Sequence, residues 1–522
     1  MHTTVLSFIF ILPTLLLLIS SLNVGPFRST KKIYDYSIFT VITALIASVV
    51  SIVQISTSGV TRLEYFTWND LGLVLRLDSL SVTMYSMIAI IALVVFRYSR
   101  NYLNGHDLHA QFFGRLAFTI ASVQLFVLSG NIAILFFAWI GTAVGLHSLL
   151  MFFPQREKSR LAARKKFVIA RASEVSLLAA FVLLYMSFGT GDLNTIFTTL
   201  QNTNDYTQIP YLEATGLLLV LTACLKSVQV PFHAWLLDVM ETPTPVSALL
   251  HAGLLNAGPF LIIRFSYVME GTQIAWLALF IIGAFSALYG AVISSTQPTV
   301  KTSLAYSSIG HMGFSLMGCG LGIYSAALLH LVSHSFYKAH AFLSSGSIVD
   351  TYQTKNALRY SRKGNLVKVL LATVSAVALY LISTELWGGM ENMSFQMLML
   401  SAVILFGMIN LQINAIDSNI KGRSIAYLLL ISGIIINLFY FLEYVFHHYL
   451  GNEIPAVRVV NESLTLTAYI ILGVYFITIL MISYIPKKAQ TSAIRVLRIH
   501  LKQGLYFNHI MNRALNALYM KK

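Results

Sequence analysis

Apolar residues along this chain neither alternate nor recur in narrow stripes. They run in blocks of about twenty, long enough to cross the roughly 30 Å hydrocarbon core of a bilayer as helices. Short connections carrying glycine, proline and most of the cations divide the blocks. Windows long enough to span predict about fifteen transmembrane helices. They lie near 4–22, 36–56, 78–96, 112–129, 132–153, 166–188, 212–237, 245–268, 273–295, 302–321, 325–349, 366–388, 395–416, 424–447 and 463–485. The pattern therefore predicts an all-α polytopic membrane protein with no soluble domain between the spans. The first block, Thr4–Leu22, has no basic residues ahead of it and no convincing cleavage site behind it, so it reads as a retained helix and not a signal peptide.

Composition agrees, with 57% hydrophobic and 11% charged residues over 522 positions. The net charge of +15 does not point to nucleic acid, because the cations sit in short loops between apolar spans. They crowd the connections after odd-numbered helices: Arg28, Lys31 and Lys32; Arg97 and Arg100; Arg156 to Lys166; Lys301; Lys355, Arg359, Arg362 and Lys363; Lys421 and Arg423. The tail from Lys487 to Lys522 falls on the same side, and Arg62, Arg76 and Arg458 are exceptions. The positive-inside rule then predicts a multi-pass protein of the cell (inner or plasma) membrane, N-terminus outside and C-terminus cytoplasmic. Thr491–Tyr519 interleaves basic and apolar residues around Gly504, a pattern for amphipathic helices on the inner leaflet or against a cytoplasmic partner. The expected divisions are 1–110 for the first three helices, 111–350 for a channel core, 351–486 for further helices and 487–522 for the tail. Two cysteines, Cys224 and Cys319, both in predicted helices, suggest neither a disulfide framework nor a zinc site.

Charge inside the blocks is rare and concentrated. Lys226 lies between Leu217–Leu225 and Val228–Val230 with no acid nearby in sequence. An ammonium at that depth costs roughly 2.5–3.5 kcal/mol. It is about fourteen residues, or roughly 20 Å, from the outer end of its helix, too far to snorkel out. Pro231 removes a helix hydrogen bond, so the helix is expected to break beside the charge. Loosened carbonyls, room for water and a titratable group at mid-membrane are the arrangement of an ion path. In residues 326–347, His330, His334 and Lys338 recur every four positions and share a helix face. A His–His pair at this spacing suits a metal, but a lysine continues the face and no third ligand is evident in sequence. No metal is assigned, and a proton or cation relay is favoured. His251 follows the Thr242-Pro243-Thr244-Pro245 helix entry. Arg171 and Glu174, three apart, make an ion pair that is either structural or tunes a nearby lysine. Asp78 reads as a helix N-cap. His311 and Glu385 are also expected at depth, without an assigned role. No catalytic set is present, so a transporter subunit is expected and not an enzyme.

Five stretches resemble the antiporter-like proton-channel subunits of respiratory complex I and of multisubunit cation/proton antiporters. They are LRLDSLSVTM (75–84), AARKKFVIARASEV (162–175), LKSVQVPFHAWLLDVMETPTPVSALLHAG (225–253), KTSLAYSSIGHMGF (301–314) and HLVSHSFYKAHAFLSSGS (330–347). The resemblance implies two inverted five-helix repeats, each with a broken helix. It makes Lys226 the central lysine of the first half-channel and His251, His330, His334 and Lys338 the connecting polar axis.

The departures matter as much. The pumping subunits carry a tryptophan–glutamate pair in the fifth helix, whereas AWIGTAVGLHSLL (138–150) has Ile140 where the acid would stand. Glu174 is a candidate substitute. The second-half lysine has no clear match in ALYLISTELWGG (378–389), where Thr384 or a neighbour would hold its place. The chain also ends without the long lateral helix of the largest complex I subunit. These features resemble a shorter branch of the family, the membrane subunits of DAB-type inorganic-carbon pumps. That likeness implies an ion-conducting subunit, for protons in the first instance. It would couple cation flow to one-way CO2 hydration by a zinc, carbonic-anhydrase-like DabA partner on the cytoplasmic face. No cofactor is then expected in this chain, the zinc being the partner's. The alternative is a proton- or sodium-translocating subunit of a complex I-like NADH dehydrogenase or multisubunit antiporter.

Overall fold

A computed structural model describes residues 2–22, 28–68, 71–203, 205–239, 242–345, 366–391, 393–417, 422–457, 462–484 and 492–519. The loop cations Lys355, Arg359, Arg362, Lys363, Lys421 and Arg458 lie outside the described residues, as do Lys487, Lys488, Lys521 and Lys522. Helices stand on the apolar blocks. They are α1 (His2–Ser21), α2 (Thr30–Ser58), α3 (Ser79–Tyr102), α4 (His109–Leu128), α5 (Ile132–Leu150) and α6 (Glu157–Phe188). A short α7 (Leu193–Gln201) precedes α8 (Leu212–Lys226), α9 (Ala234–Asp238), α10 (Thr244–Ala252), α11 (Ala257–Arg264) and α12 (Ser266–Glu270). The long helices resume with α13 (Ile274–Ser294), α14 (Val300–Gly320), α15 (Tyr324–Ser344), α16 (Leu366–Leu386), α17 (Phe395–Asp417), α18 (Gly422–Leu450) and α19 (Glu462–Tyr484). Two tail helices, α20 (Ser492–Lys502) and α21 (Phe507–Tyr519), follow. Among the described residues, ten helical segments are long and apolar enough to cross a membrane.

The Thr244–Arg264 segment is wholly buried and forms the axis of the bundle. Around it, α10 packs on α15, α11 on α8 and α14, and α6 on α8. The closest helix pair is α13 with α14, where glycines let the backbones touch. A Cβ added at Gly290 would stand 2.3 Å from the Gly310 amide nitrogen. A smaller apolar cluster (Ala372, Ala376, Tyr380, Met408, Ile409, Ile436) holds α16, α17 and α18 together, and α15 joins it to the rest through α18.

The structure departs from the hydropathy pattern in four places. Strands β1 (Thr61–Trp68) and β2 (Leu71–Leu77) form an antiparallel hairpin, pairing Leu63 with Leu75. At seven or eight residues each they are too short to register as spans. The α4–α5 connection holds the hairpin, since Asn131 Nδ2 donates to the Gly72 carbonyl at 2.8 Å. The amphipathic α7 was likewise hidden in a connection. The sixth span starts at Glu157 and not near 166, so Lys165 and Lys166, expected in a basic loop, sit two turns inside a helix and are buried. Finally, α16 runs unbroken from Leu366 to Leu386, so the second of the two expected helix breaks is absent among the described residues.

Two exceptions to the loop-charge pattern have local partners. Arg62 pairs with Glu64 and Asp192 at 3.0 Å each, and Arg76 donates to Asp78 and to Asn194 of α7 at 2.7 Å each. Asp78 N-caps α3 by accepting from the Ser81 amide at 2.8 Å, and it also receives the guanidinium of Arg264 at the end of α11. Burial alone would raise its pKa, but the Arg264 and Arg76 charges outweigh it and hold the carboxyl below the usual carboxylate range. Its contribution is therefore present at neutral pH and lost only as pH falls through that depressed value. Asp78→Ala leaves two buried guanidinium groups unpaired, a change that costs about 3–5 kcal/mol. The variant is expected to show a large fall in detergent-solubilised melting temperature and in membrane abundance, whereas Glu64→Ala, at an exposed pair, is expected to change neither measurably.

Candidate functional site

The site is built where two neighbouring spans lose helical continuity at the same level. The α8 helix ends on Lys226 itself, five residues before Pro231, and the chain turns through residues 227–233 before α9. Val228, a β-branched residue, is held there at φ +52°, a strained conformation of the kind that clusters at functional sites. The next span breaks after α10 at Gly253 and restarts at Ala257. The two breaks satisfy each other. Ser227 Oγ donates to the Leu255 carbonyl at 2.6 Å and accepts from the Gly258 amide at 3.2 Å. Groups freed from the helical ladder are thus paired without water, as a low-dielectric setting demands.

Lys226 projects from the first break into a narrow cleft lined by Trp139, Thr142, Lys166, Ser173, Trp235 and Leu250. Its ammonium donates to Thr142 Oγ1 at 2.7 Å and lies 4.3 Å from the centre of the Trp139 ring. Glu174 is within electrostatic reach of it. Ser176 Oγ, two positions along, donates to the Leu218 carbonyl at 2.9 Å and pins α6 to the helix that carries Lys226. Glu174 accepts from Arg171 at 2.6 Å, with Glu174 largely buried and Arg171 44% exposed. The arginine thus lies at the surface of the bundle while the acid is within electrostatic reach of the lysine. Sequence reading missed Lys166, whose ammonium donates to the Ala143 carbonyl at 2.5 Å in the same cleft. The signal was its spacing of eight from Glu174, which places the two on one helical face once the helix is extended to Glu157.

The second polar group lies around α14 and α15. His251 Nδ1 is 2.9 Å from Ser308 Oγ, and its ring stacks on Phe342 with centroids 4.2 Å apart. Lys338 Nζ donates to the Leu304 carbonyl at 3.0 Å, one turn of α14 before Ser308. His251 and Lys338 thus meet adjacent turns of one helix. His334 and His330 continue the face of α15, and His311 of α14 joins them, with His311 Nδ1 3.3 Å from His330 Nε2. The three-histidine cluster was not legible in sequence because its third member comes from the neighbouring helix.

No hydrogen bond joins Lys226 to His251 among the described residues. The polar link from one region to the other runs through the Ser227–Leu255 contact and then from Asn256 Nδ2 to Ser335 Oγ at 2.6 Å. At the other end of the chain, Thr384 is buried among hydroxyls. It donates to the Tyr380 carbonyl at 2.8 Å and lies 3.3 Å from the Tyr440 hydroxyl, while Glu385 is exposed. Where a second lysine was sought, neutral groups stand.

The tail closes one end of the bundle. Lys165, fully buried, pairs with Asp238 of α9 at 2.5 Å and with Asn508 of α21 at 2.6 Å. Phe507 packs on His233, and the Tyr289 hydroxyl donates to the Gly504 carbonyl at 2.8 Å.

Residues 129–385 match the family described as NADH:quinone oxidoreductase/Mrp antiporter, TM, and residues 67–113 match NADH-ubiquinone oxidoreductase (complex I), chain 5 N-terminus. The probable inorganic carbon transporter subunit DabB of Hydrogenovibrio crunogenus is 38% identical over 299 residues, 56% of this chain and 57% of that protein. DabB2 of Halothiobacillus neapolitanus is 40% identical over 289 residues, 55% and 52% of the two chains. NADH-quinone oxidoreductase subunit L of Mycobacterium tuberculosis is 33% identical over 335 residues, covering 62% and 52%. The matched region thus spans little more than half the length of these curated relatives. A chain of the Mrp complex from Dietzia sp. DQ12-45-1b shares the fold, with a TM-score of 0.68 at 20% identity over 97% of this chain and 59% of that one.

The Ser227 clasp leaves no room at Gly258, where a Cβ would stand 2.2 Å from Ser227 Oγ and 2.6 Å from the Ala223 carbonyl. Gly258→Ala is expected to destabilise by about 1–3 kcal/mol through overpacking, read as a lower melting temperature. Gly407→Ala in α17, with nothing within 4 Å, serves as the neutral control.

Proposed function

We propose that this chain, whose residues 129–385 match the NADH:quinone oxidoreductase/Mrp antiporter family, is the ion-conducting subunit of an energy-coupled inorganic-carbon transporter. The observation that carries the reading is Lys226, a half-buried ammonium at a helix break with a hydroxyl, an aromatic face and one tunable carboxylate around it. A membrane anchor has no use for that arrangement, because each buried titratable group costs insertion energy. Similarity to two proteins named as probable inorganic carbon transporter subunits supports the finer assignment.

On this reading a proton reaches Lys226 through the break between α8 and α9. Glu174 takes the part of the acid missing at Ile140. While paired with Arg171 its charge is shared. When that pair opens toward the exposed side of Arg171, the carboxylate stabilises the Lys226 ammonium, and reclosure favours release along the Asn256–Ser335 link. His251, Lys338, His334 and His330 then carry the charge onward, with histidine suited to accept and pass protons near neutral pH. Hydration of CO2 is assigned to a zinc, carbonic-anhydrase-like partner. The tail helices and the exposed part of Arg156–Arg164 face it from the cytoplasmic side, and ion flow makes hydration one-way. The identity to subunit L of Mycobacterium tuberculosis supports the competing reading, a proton- or sodium-translocating subunit of a respiratory assembly. Ile140 and the neutral surroundings of Thr384 weigh against it.

Lys226→Ala removes a charge from within a span, so it is expected to insert and accumulate normally. With the partner co-expressed in cells lacking their own carbonic anhydrase, it is expected to lose growth in ambient air and at least tenfold in bicarbonate accumulation. Collapsing the proton and sodium gradients should stop uptake by the unaltered pair. Full uptake by Lys226→Ala at normal abundance would remove the ion-path role.

A further inference from the structure

We propose that His311, His330 and His334 form a binding site for a late first-row divalent metal of the Zn2+ class, and that its occupancy blocks the ion path. The second half of this statement rests on the conducting role argued above; the first does not. The donor atoms of the three rings all lie within 4.8 Å of one another. His330 and His334, four apart on α15, present both imidazoles to one side, and His311 comes across from α14. His311 Nδ1 and His330 Nε2 are already 3.3 Å apart. That matches the roughly 3.3 Å edge of a tetrahedron whose metal–nitrogen bonds are about 2.0–2.1 Å long. His334 closes the third edge by turning its ring, and no hydrogen bond opposes that turn, since both of its nitrogens are buried without a hydrogen-bond partner. A buried imidazole with neither nitrogen paired is costly unless something occupies it.

The donor set fixes the class of ion. Three imidazoles and no carboxylate suit Zn2+ and its neighbours, whereas Mg2+ and Ca2+ require oxygen ligands. Three protein ligands leave a fourth position for water or a small anion. Lys338 is one turn further along α15, its ammonium engaged by the Leu304 carbonyl. Its positive charge weakens the site, so the metal is a reversible effector and the fold does not depend on it. Occupancy ties up the lone pairs that proton transfer along α15 would use, and adds two positive charges beside Lys338.

The test uses the purified full chain in nanodiscs, with Co2+ as a spectroscopic probe and Zn2+ as competitor. The expected result is one Co2+ per chain with the strong visible absorption of a tetrahedral site, displaced by Zn2+ and not by Mg2+. His311→Gln and His334→Ala should each weaken binding at least tenfold, and His500→Ala, on the exposed tail, should leave it unchanged. Equal binding in all variants, or no tetrahedral band in the unaltered chain, would overturn the site. His311→Gln keeps size and polarity, and unchanged melting temperature separates lost ligation from lost folding. In proteoliposomes, Zn2+ should inhibit ion flux through the unaltered chain and at least tenfold less potently through His311→Gln. Tight binding without inhibition would leave the metal site standing and remove the histidines from the conducting path.

Discussion

Hydrocarbon offers nothing to hydrogen-bond, so a membrane chain that interrupts a helix must supply partners for the groups it frees. This protein interrupts two adjacent spans at one level and pairs their freed groups through Ser227, whose hydroxyl bridges the Leu255 carbonyl and the Gly258 amide. The rest of the functional core depends on that contact. It allows α8 to stop at Lys226, brings the wholly buried Thr244–Arg264 segment against it, and opens a polar seam through the centre of an otherwise apolar bundle. Glycine at 258 is what lets the two backbones approach.

Charge is arranged to keep this seam from collapsing or drifting. On one side Asp78 ties α3 to Arg264 at the end of α11, while Glu453 accepts from the Ser79 and Leu80 amides at the same helix start. At the other end, Lys165 and Asp238 tie α6 to α9, and the tail is drawn in through Asn508. Each of these pairs is buried, so each is a poor source of net stability but expensive to break from one side only. They fix the ends of α11 and α9, leaving the ionisable groups between them in a defined frame.

The sequence carried the long helices, Lys226 as the focus and the stripe on α15, because each is encoded by residues close in sequence: apolar blocks, a proline after a charge, a four-residue repeat. Asp78 was legible as a cap for the same reason. The second part of its role was not, because Arg264 lies far along the chain. Lys166 was missed, and His311 was left without a role, on similar grounds. One looked like loop charge until α6 was found to begin at Glu157, and the other meets its partners only across a helix pair. The hairpin was hidden because short strands leave no trace in a window tuned to spans. The unbroken α16 corrects an expectation drawn from likeness alone, with no proline in Leu366–Leu386 to support it.

The two halves of the chain differ in kind as well as in sequence. Around Lys226 the polar groups are ionisable, and around Thr384 they are hydroxyls and amides: Tyr380 with Ser401, Asn437 with Ser383, Ser375 with Gln412. Hydroxyl and amide networks orient water and relay hydrogen bonds but hold no net charge at neutral pH. Among the described residues, the buried groups around Lys226 thus include ionisable ones, while those around Thr384 are neutral. On the proposed reading, one carboxylate, Glu174, held three residues from a half-exposed arginine, stands in for the acid absent at position 140.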